Sequence, residues 1–441
     1  MDLRPVKLSS INNFYTFTKK NLIIIIDEWK NENLIPKDGP KKGKDEEKEK
    51  DKPPAGIRNV FMMGLVSFFT DFSTEMILSI LPLFLVSNLG ISRALLGVIE
   101  GSSELTSYVF RMFSGALSDK FRKRKIFIII GYGLSTISKP FFLVSSGWLD
   151  AFVVRATDRM GKGIRTAPRD ALIADSVSES ISGKAFGIHR TIDQMGAIVG
   201  PIVAFTILQF MDIHAVFLLS LIPGVVAVII LISFVKEVAI KKLSDTTIFE
   251  NICGIIKGNK SFVILLIVTG IFSLGAFNFS FVLLKGSDLG IDQSLIPIVY
   301  AIINVAHTTI GIPAGIFADR IGKERMLLIG YSVFAASTIL MAFSTNNSLY
   351  AFVLAAVFGL YLGISETVQR AVIPKYVSPE LRGTAYGLYN LVSGVCFFVS
   401  NITFGFLWDI YGVDLAALYS LCLSIIAITG MAIFIKKYRL K

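Results

Sequence analysis

Long apolar stretches separated by short polar segments follow one another from about residue 59 to the end of the chain. A helix needs about 20 mostly apolar residues to cross the hydrocarbon core of a bilayer, so each stretch predicts a membrane-spanning helix. The first six predicted spans lie near residues 59–87, 93–117, 126–146, 148–174, 184–208 and 212–235. The second six lie near residues 262–285, 293–317, 326–344, 348–374, 384–408 and 412–435. The pattern predicts an all-α integral membrane protein with 12 transmembrane helices.

Two polar segments divide the chain into parts. Residues 1–58 contain no stretch of spanning length, and the run KDGPKKGKDEEKEKDKPP at 37–54 has no apolar face to bury, which is typical of a disordered linker. We therefore expect residues 1–58 to form a cytoplasmic N-terminal arm and residues 236–261 to form a cytoplasmic loop. Residues 59–235 then form an N-terminal six-helix bundle, and residues 262–441 form a C-terminal six-helix bundle with a basic tail.

The composition agrees with a membrane protein and disfavours an enzyme. Apolar residues make up 53% of the chain and charged residues only 17%, whereas about a quarter of the residues in a soluble domain are charged. The three cysteines provide neither a disulfide framework nor a metal-ligand cluster, and no nucleophile elbow or phosphate-binding glycine loop is present. We expect no catalytic residues, no cofactor and no metal.

The formal net charge of +11 does not indicate nucleic-acid binding. Lys and Arg crowd alternate short loops, such as the run at 120–125, and the C-terminal tail, which is the distribution that the positive-inside rule describes for cytoplasmic segments. We therefore place both termini in the cytoplasm and the chain in the cell (plasma) membrane. The expected surroundings are the lipid bilayer, with no nucleic-acid partner and a monomeric state.

The chain repeats itself at a constant offset of 200 residues. Residues 89–92 (LGIS) pair with residues 289–292 (LGID), and residues 115–120 (GALSDK) pair with residues 315–320 (GIFADR). Six spans per copy return the chain to its starting side, so the copies are parallel repeats about an axis along the membrane normal. Two such bundles can rock against each other around a site near the bilayer midplane.

Two loops carry a family resemblance. The segments GALSDKFRKRK at 115–125 and GIFADRIGKER at 315–325 resemble the loop signature of the major facilitator superfamily (MFS) of secondary transporters, although Arg122 stands where the family usually has glycine. The resemblance implies the MFS fold, with two six-helix bundles and alternating access. Within that family, the chain resembles prokaryotic members of the drug/proton antiporter type whose substrate is unassigned.

The same loops predict a conformational latch. Asp119 ends a helix, where the helix dipole disfavours a negative charge, so it needs a compensating partner. The resemblance implies that this partner is the N-terminal end of a helix in the opposite bundle, with arginines nearby. The alternative is a plain basic loop that ends in a turn. The residues assigned to the latch are Gly115, Asp119, Lys120, Arg124, Gly315, Asp319, Arg320 and Arg325.

The fifth span carries a second signature. Gly187, Gly196, Gly200 and Pro201 resemble the fifth-helix motif of the family's antiporters, except that Ala204 stands where a further glycine is usual. This resemblance favours export. The alternative is ordinary close packing of helices through small residues, which a symporter would share.

Ionisable residues inside the predicted spans are the candidates for coupling. A charge in hydrocarbon costs about 2.5–3.5 kcal/mol, so it persists only where it faces protein or water. The candidates for proton coupling or a substrate cavity are Asp71, Glu75, Glu100, Glu104, Arg111, Arg155, Asp158, Arg159, Asp193, Glu366 and Arg370. Most lie in the first half, and they alternatively form static ion pairs that hold helices together. Arg165 and Arg169 are expected to form a cytoplasmic gate against the eleventh span.

These observations favour a proton-coupled antiporter that exports a small amphipathic or organic-anion solute by alternating access. Its partners would be that solute and protons. A proton-coupled symporter that imports an organic anion, bound by the cations of the fourth span, is the alternative within transport. A membrane receptor or scaffold is the alternative of another class, but buried carboxylates and two latch motifs have no purpose in a scaffold.

Overall fold

The computed structural model describes residues 56–121, 123–177, 182–238, 254–343, 347–377 and 381–438. The predicted arm before residue 56 and most of the predicted 236–261 loop lie outside these residues. The side chains of Asp119 and Arg370 also lie outside the described part of the chain.

The described residues form helices and no β-strand, which confirms the predicted all-α fold. Each helix falls on one of the apolar stretches of the sequence. In chain order the helices are α1 (Gly56–Asn88), α2 (Arg93–Phe121), α3 (Arg124–Val144), α4 (Trp148–Ser176), α5 (Ser182–Leu208), α6 (Ile213–Phe234), α7 (Lys260–Asp288), α8 (Ile296–Ile321), α9 (Lys323–Ala342), α10 (Leu349–Val372), α11 (Arg382–Tyr411) and α12 (Val413–Tyr438).

Within the described ranges, ten helices are long and apolar enough to cross a membrane. Helices α2 and α4 are as long, at 29 residues each, but they carry many charged residues. The count of 12 spans and the cytoplasmic position of both termini therefore stay predictions. We refer to α1–α6 as the N half and to α7–α12 as the C half.

Helix α7 is interrupted where it meets α11. Its two segments, Lys260–Gly275 and Phe279–Asp288, are separated by residues 276–278. The Asn278 side chain accepts a hydrogen bond from the Ser280 N–H, and the Asn278 N–H donates to Oδ1 of Asn401, both at 2.9 Å. These two side chains satisfy backbone groups that the break would otherwise leave unpaired.

The 200-residue repeat is visible in the backbone. Gly90 and Gly290, which are equivalent positions, adopt left-handed φ values of 63° and 82° in the turns after α1 and α7. Residues with a side chain rarely adopt this region, so glycine is needed in both copies. The two halves thus repeat a turn as well as a helix order.

The halves meet mainly through α2 with α11 and α5 with α8. Gly97 of α2 lies against the carbonyl of Asn401, and Gly405 of α11 lies against the carbonyl of Arg93. A Cβ atom at either glycine would collide with the opposing backbone, so these glycines permit the close approach of the two helices.

We call the end of the bundle that holds the α1–α2, α3–α4, α5–α6, α7–α8 and α11–α12 connections the outer end. The opposite end, which holds the basic loops, is called the basic end. The hydrogen bonds and ion pairs between the halves lie mostly at the outer end or in the middle of the bundle.

Candidate functional site

A buried ion-pair network joins α2 to α4 in the N half. The Arg155 guanidinium donates two hydrogen bonds to Glu100, from Nη2 at 2.8 Å and from Nε at 3.2 Å. Both side chains are almost fully buried, at 2% and 1% exposure. Arg155 also contacts Asp158 at 3.4 Å, and Asp158 accepts a hydrogen bond of 2.5 Å from Ser135 of α3. The paired geometry compensates much of the cost of burying these charges.

The second acid of α2 is paired in the same way. Arg159 contacts Glu104 at 3.2 Å, one helical turn from the Arg155–Glu100 pair. The arginines of α4 therefore neutralise both glutamates, whereas Arg111 lies over the Tyr108 ring at 5.6 Å. In this network the geometry favours the structural role that the sequence left open for Arg155 and Asp158.

The carboxylates of α1 are in a different environment. Glu75 accepts a hydrogen bond of 2.5 Å from the Tyr300 hydroxyl of α8, which belongs to the C half. Asp71, one turn away, lies beside Asp193 of α5. Two neighbouring carboxyl groups repel each other when both are ionised, so this pair can hold a shared proton. Both α1 acids are partly buried and neither has an ion pair with Lys or Arg among the described residues.

A chain of charged groups continues from Asp193 to the C half. Arg190 contacts Asp193 at 3.1 Å and Glu366 of α10 at 3.1 Å. His307 of α8 lies 3.6 Å from the same Glu366 carboxylate. Protonation at Asp71 or Asp193 can therefore alter the charge balance of a contact between the two halves.

Sequence reasoning missed Tyr300, which is the partner of Glu75 across the interface. Lys139 of α3, an ionisable residue that the sequence places inside a span, donates a hydrogen bond of 2.9 Å to Ser73 of α1 while almost fully buried. A signal for Tyr300 exists, because residues 300, 304 and 308 are polar at helical spacing and form one stripe of α8. Asn304 and Thr308 of this stripe contact α5, at the Ala197 carbonyl and at Gln194.

The glycines of the fifth-helix motif pack α5 against α1. Gly196 lies against the backbone of Phe68, and Gly200 lies against Phe72 and Glu75. Pro201 lies inside the continuous helix α5. A Cβ atom at Gly187 would meet no neighbouring element among the described residues within 4 Å. The motif thus holds the helix that carries Asp193 close to the helix that carries Asp71 and Glu75.

The predicted latch residues lie at the basic end. Lys120, Asp319, Arg320 and Arg325 are exposed, and Gly115 and Gly315 lie near Ala167 and Thr367 of their own halves. Asp319 has no hydrogen-bond or ion-pair partner among the residues that the structure describes. Arg124 forms an ion pair with Asp175 within the N half. For the second copy of the motif, the described residues therefore form no hydrogen bond or ion pair with the opposite half.

A carboxylate does bind the start of a helix in the other half, but at the outer end. Asp409 of α11 accepts hydrogen bonds from the N–H groups of Arg93 and Ala94 at the start of α2, at 3.0 and 2.7 Å. The Arg93 side chain forms an ion pair of 3.0 Å with Asp288 of α7 and lies 5.0 Å from the Trp408 ring centroid. The halves are therefore joined at the outer end.

The predicted gate of Arg165 and Arg169 against the eleventh span is wrong for the arrangement seen here. Arg165 lies over the Tyr132 ring of α3 at 4.5 Å, and Arg169 contacts Asp170 at 2.9 Å and lies 3.5 Å from Ser67 of α1. Both guanidinium groups face the interior of the N half. Helical spacing places them on one face of α4, but it does not determine which neighbour that face meets.

The fold and the site define a multi-pass helical membrane protein of two related halves with buried carboxylates where they meet. The family model of the Major Facilitator Superfamily matches residues 63–395 and 263–440. The chain belongs to the Major Facilitator Superfamily, as the loop signature predicted, and it is a secondary transporter.

Named relatives and solved structures agree with this assignment. An MFS-type transporter of Methanocaldococcus jannaschii is 34% identical over 379 residues, which cover 84% of this chain and 93% of the relative. The quinolone resistance protein NorA of Staphylococcus aureus is 24% identical over 368 residues, covering 80% and 91% of the two chains. The crystal structure of a mutant of the nucleoside transporter NupG superposes with a TM-score of 0.74 at 14% identity, covering 85% of this chain and 99% of that one. At that identity the likeness concerns the fold alone.

Proposed function

We propose that the chain is a proton-coupled antiporter that exports a small amphipathic or organic-anion solute by alternating access. The observation that carries this proposal is the position of Glu75, a titratable group of the N half that is hydrogen-bonded to Tyr300 of the C half. A change of protonation there acts directly on a contact between the two moving parts. The relative named for quinolone resistance supports the outward direction.

In this proposal, proton and solute movements are coupled because both compete for the Glu75 carboxylate. An ionised Glu75 is a strong acceptor for the Tyr300 hydroxyl, whereas a protonated carboxyl is a weaker one. A proton that arrives from the outer end would weaken the contact between the halves, and a hydrogen-bond donor of a solute that enters from the basic end would compete for the same carboxylate. Because proton and solute exclude each other, movement of one inward accompanies movement of the other outward.

The symport alternative is favoured by a different observation. The Nη1 atom of the buried Arg165 side chain has no hydrogen-bond partner among the described residues. A guanidinium group with a free donor suits the carboxylate of an organic anion. In that case the solute would bind the cations of α4, and substitution of Arg165 rather than of Glu75 would remove binding.

Reconstitution in proteoliposomes with an imposed pH gradient tests the proposal. A pH-sensitive dye inside the vesicles would report proton movement on addition of candidate solutes. We expect Glu75→Gln and Asp71→Asn to abolish solute-coupled proton movement, because each removes a titratable group from the interface, and Asp150→Asn, an exposed acid at the outer end, to leave it unchanged. Wild-type coupling in both α1 variants would remove α1 from the mechanism, and the absence of any flux would favour a receptor or scaffold.

A further inference from the structure

The outer end contains two junctions between the halves, related by the 200-residue repeat. The first seam comprises Arg93, Asp288 and Asp409, where α2 meets α7 and α11. The equivalent positions at the second seam are Gln293, Asn88 and Gln209, where the start of α8 meets the ends of α1 and α5. Each charged residue of the first seam thus has a neutral amide as its counterpart in the second.

The exchange of charged residues for amides changes the contacts that join the two halves at each seam. At the first seam Arg93 pairs with Asp288, and Asp409 accepts two backbone N–H groups at the start of α2. At the second seam the corresponding side-chain contact is a single hydrogen bond of 3.4 Å from Gln293 to Asn88. Neutral amides at that distance form a weaker contact than a charge-assisted pair.

A cavity of about 440 Å³ lies at the second seam. Ile80, Leu83, Leu208 and Ile213 contribute apolar surface from the N half, and Asp212 and Asp292 contribute carboxylates from the two halves. Asn88, His214, Gln293 and Ser294 complete the lining, so apolar and polar side chains share it. A cavity of this volume is of the size that holds a drug-sized molecule.

The charge of the cavity is negative. Asp212 accepts hydrogen bonds from the Ala215 N–H and the His214 ring, and Asp292 accepts from the N–H and hydroxyl of Ser294. These hydrogen bonds lower the pKa of both carboxyl groups, so both are ionised at neutral pH. Among the described residues neither forms an ion pair with Lys or Arg.

We propose that the cavity at the second seam binds a small amphipathic organic cation. The apolar side chains match the hydrophobic part of such a molecule, and the two carboxylates supply the complementary charge on opposite sides of the seam. The site lies against the last residues of α1, from Ile80 to Asn88, and its lining does not include the acids Asp71 and Glu75. It does not depend on which solute the central site transports.

Protection of a cysteine in the cavity tests the proposal locally. Ser294→Cys would be introduced after the three native cysteines are replaced by serine, and its labelling by a maleimide would be measured with and without tetraphenylphosphonium. We expect tetraphenylphosphonium to protect this cysteine. Ser146→Cys, in an exposed outer connection outside the cavity, is expected to label equally with and without the cation. The uncharged triphenylphosphine oxide should give no protection.

Two further variants test whether binding needs the carboxylate charges and the free volume of the cavity. Asp212→Asn combined with Asp292→Asn keeps acceptors for the local hydrogen bonds, and it should raise the concentration needed for protection roughly tenfold. Gln293→Arg, which copies Arg93 of the first seam, should abolish protection by placing a cation in the cavity. Asp150→Asn should leave it unchanged.

The candidate site around Asp71 and Glu75, here called the central site, provides the remaining control. Asp71→Asn with Glu75→Gln should leave protection of the cavity cysteine intact, even where coupled flux is lost. Equal protection by the neutral compound, or no effect of the Asp212 and Asp292 substitutions, would overturn the proposed cation site. Loss of protection in the central variant alone would assign the cation to the transport pathway instead.

Discussion

The two halves share a helix order but have different interiors. The N half buries a charged network around Glu100, Arg155 and Asp158, whereas the C half buries stacked aromatic rings. Phe272 and Tyr331 stack at 3.8 Å, and Phe334, Phe358 and Tyr361 pack around them.

At equivalent positions of the repeat, charged side chains of the N half are replaced by apolar side chains in the C half. Asp158 corresponds to Phe358, and Arg155 corresponds to Ala355. A duplicated scaffold has therefore kept its helix packing while its two interiors diverged.

The largest effect on stability is expected from Phe358→Asp, which places in the C half the residue found at the equivalent position of the N half. Phe358→Asp would bury an unpaired carboxylate among Phe277, Phe334 and Tyr361, at a cost of about 5 kcal/mol or more. We expect loss of folded protein, measured by thermal unfolding in detergent with size-exclusion detection. Phe358→Leu is the control, with an expected loss of about 1.5 kcal/mol. Equal stability of the two variants would mean that the aromatic core tolerates charge.

The next effect concerns the N-half network. Arg155→Met leaves Glu100 and Asp158 buried without their partner, so we expect a loss of about 3–5 kcal/mol in unfolding free energy. Adding Glu100→Gln should recover part of it, because one uncompensated charge is then removed. The same thermal assay applies, and Arg325→Met, at an exposed position of α9, should cost less than about 1 kcal/mol. No rescue by Glu100→Gln would show that the network is not held by this pair.

The smallest effect compares two ion pairs at the basic end. Arg124 pairs with Asp175 in the N half, and at the equivalent positions Glu324 pairs with Lys375 at 2.7 Å in the C half, with the charges exchanged. Since both pairs are partly exposed, we expect a coupling energy of about 1 kcal/mol in each. Double-mutant cycles with neutral amides would measure it. A coupling in one half and none in the other would show that the pairs are not equivalent.

The fold was largely predictable from the sequence because spanning length and the 200-residue repeat are properties of the chain itself. The acids of the site were also predictable, since a charge inside an apolar stretch is costly wherever it lies. Their partners were not. The pairing of Glu75 with Tyr300, and the inward orientation of Arg165, depend on how helices distant in sequence face each other, and helical periodicity gives only the faces of one helix.

Asp409 binds the main chain of α2 and not a side chain, which has an evolutionary consequence. Every residue type except proline offers an N–H group, so mutations at positions 93 and 94 can accumulate without removing this half of the junction. The ion pair with Asp288, by contrast, is lost as soon as Arg93 changes. In distant homologues we therefore expect an acid to persist at the end of α11 more widely than a base at the start of α2.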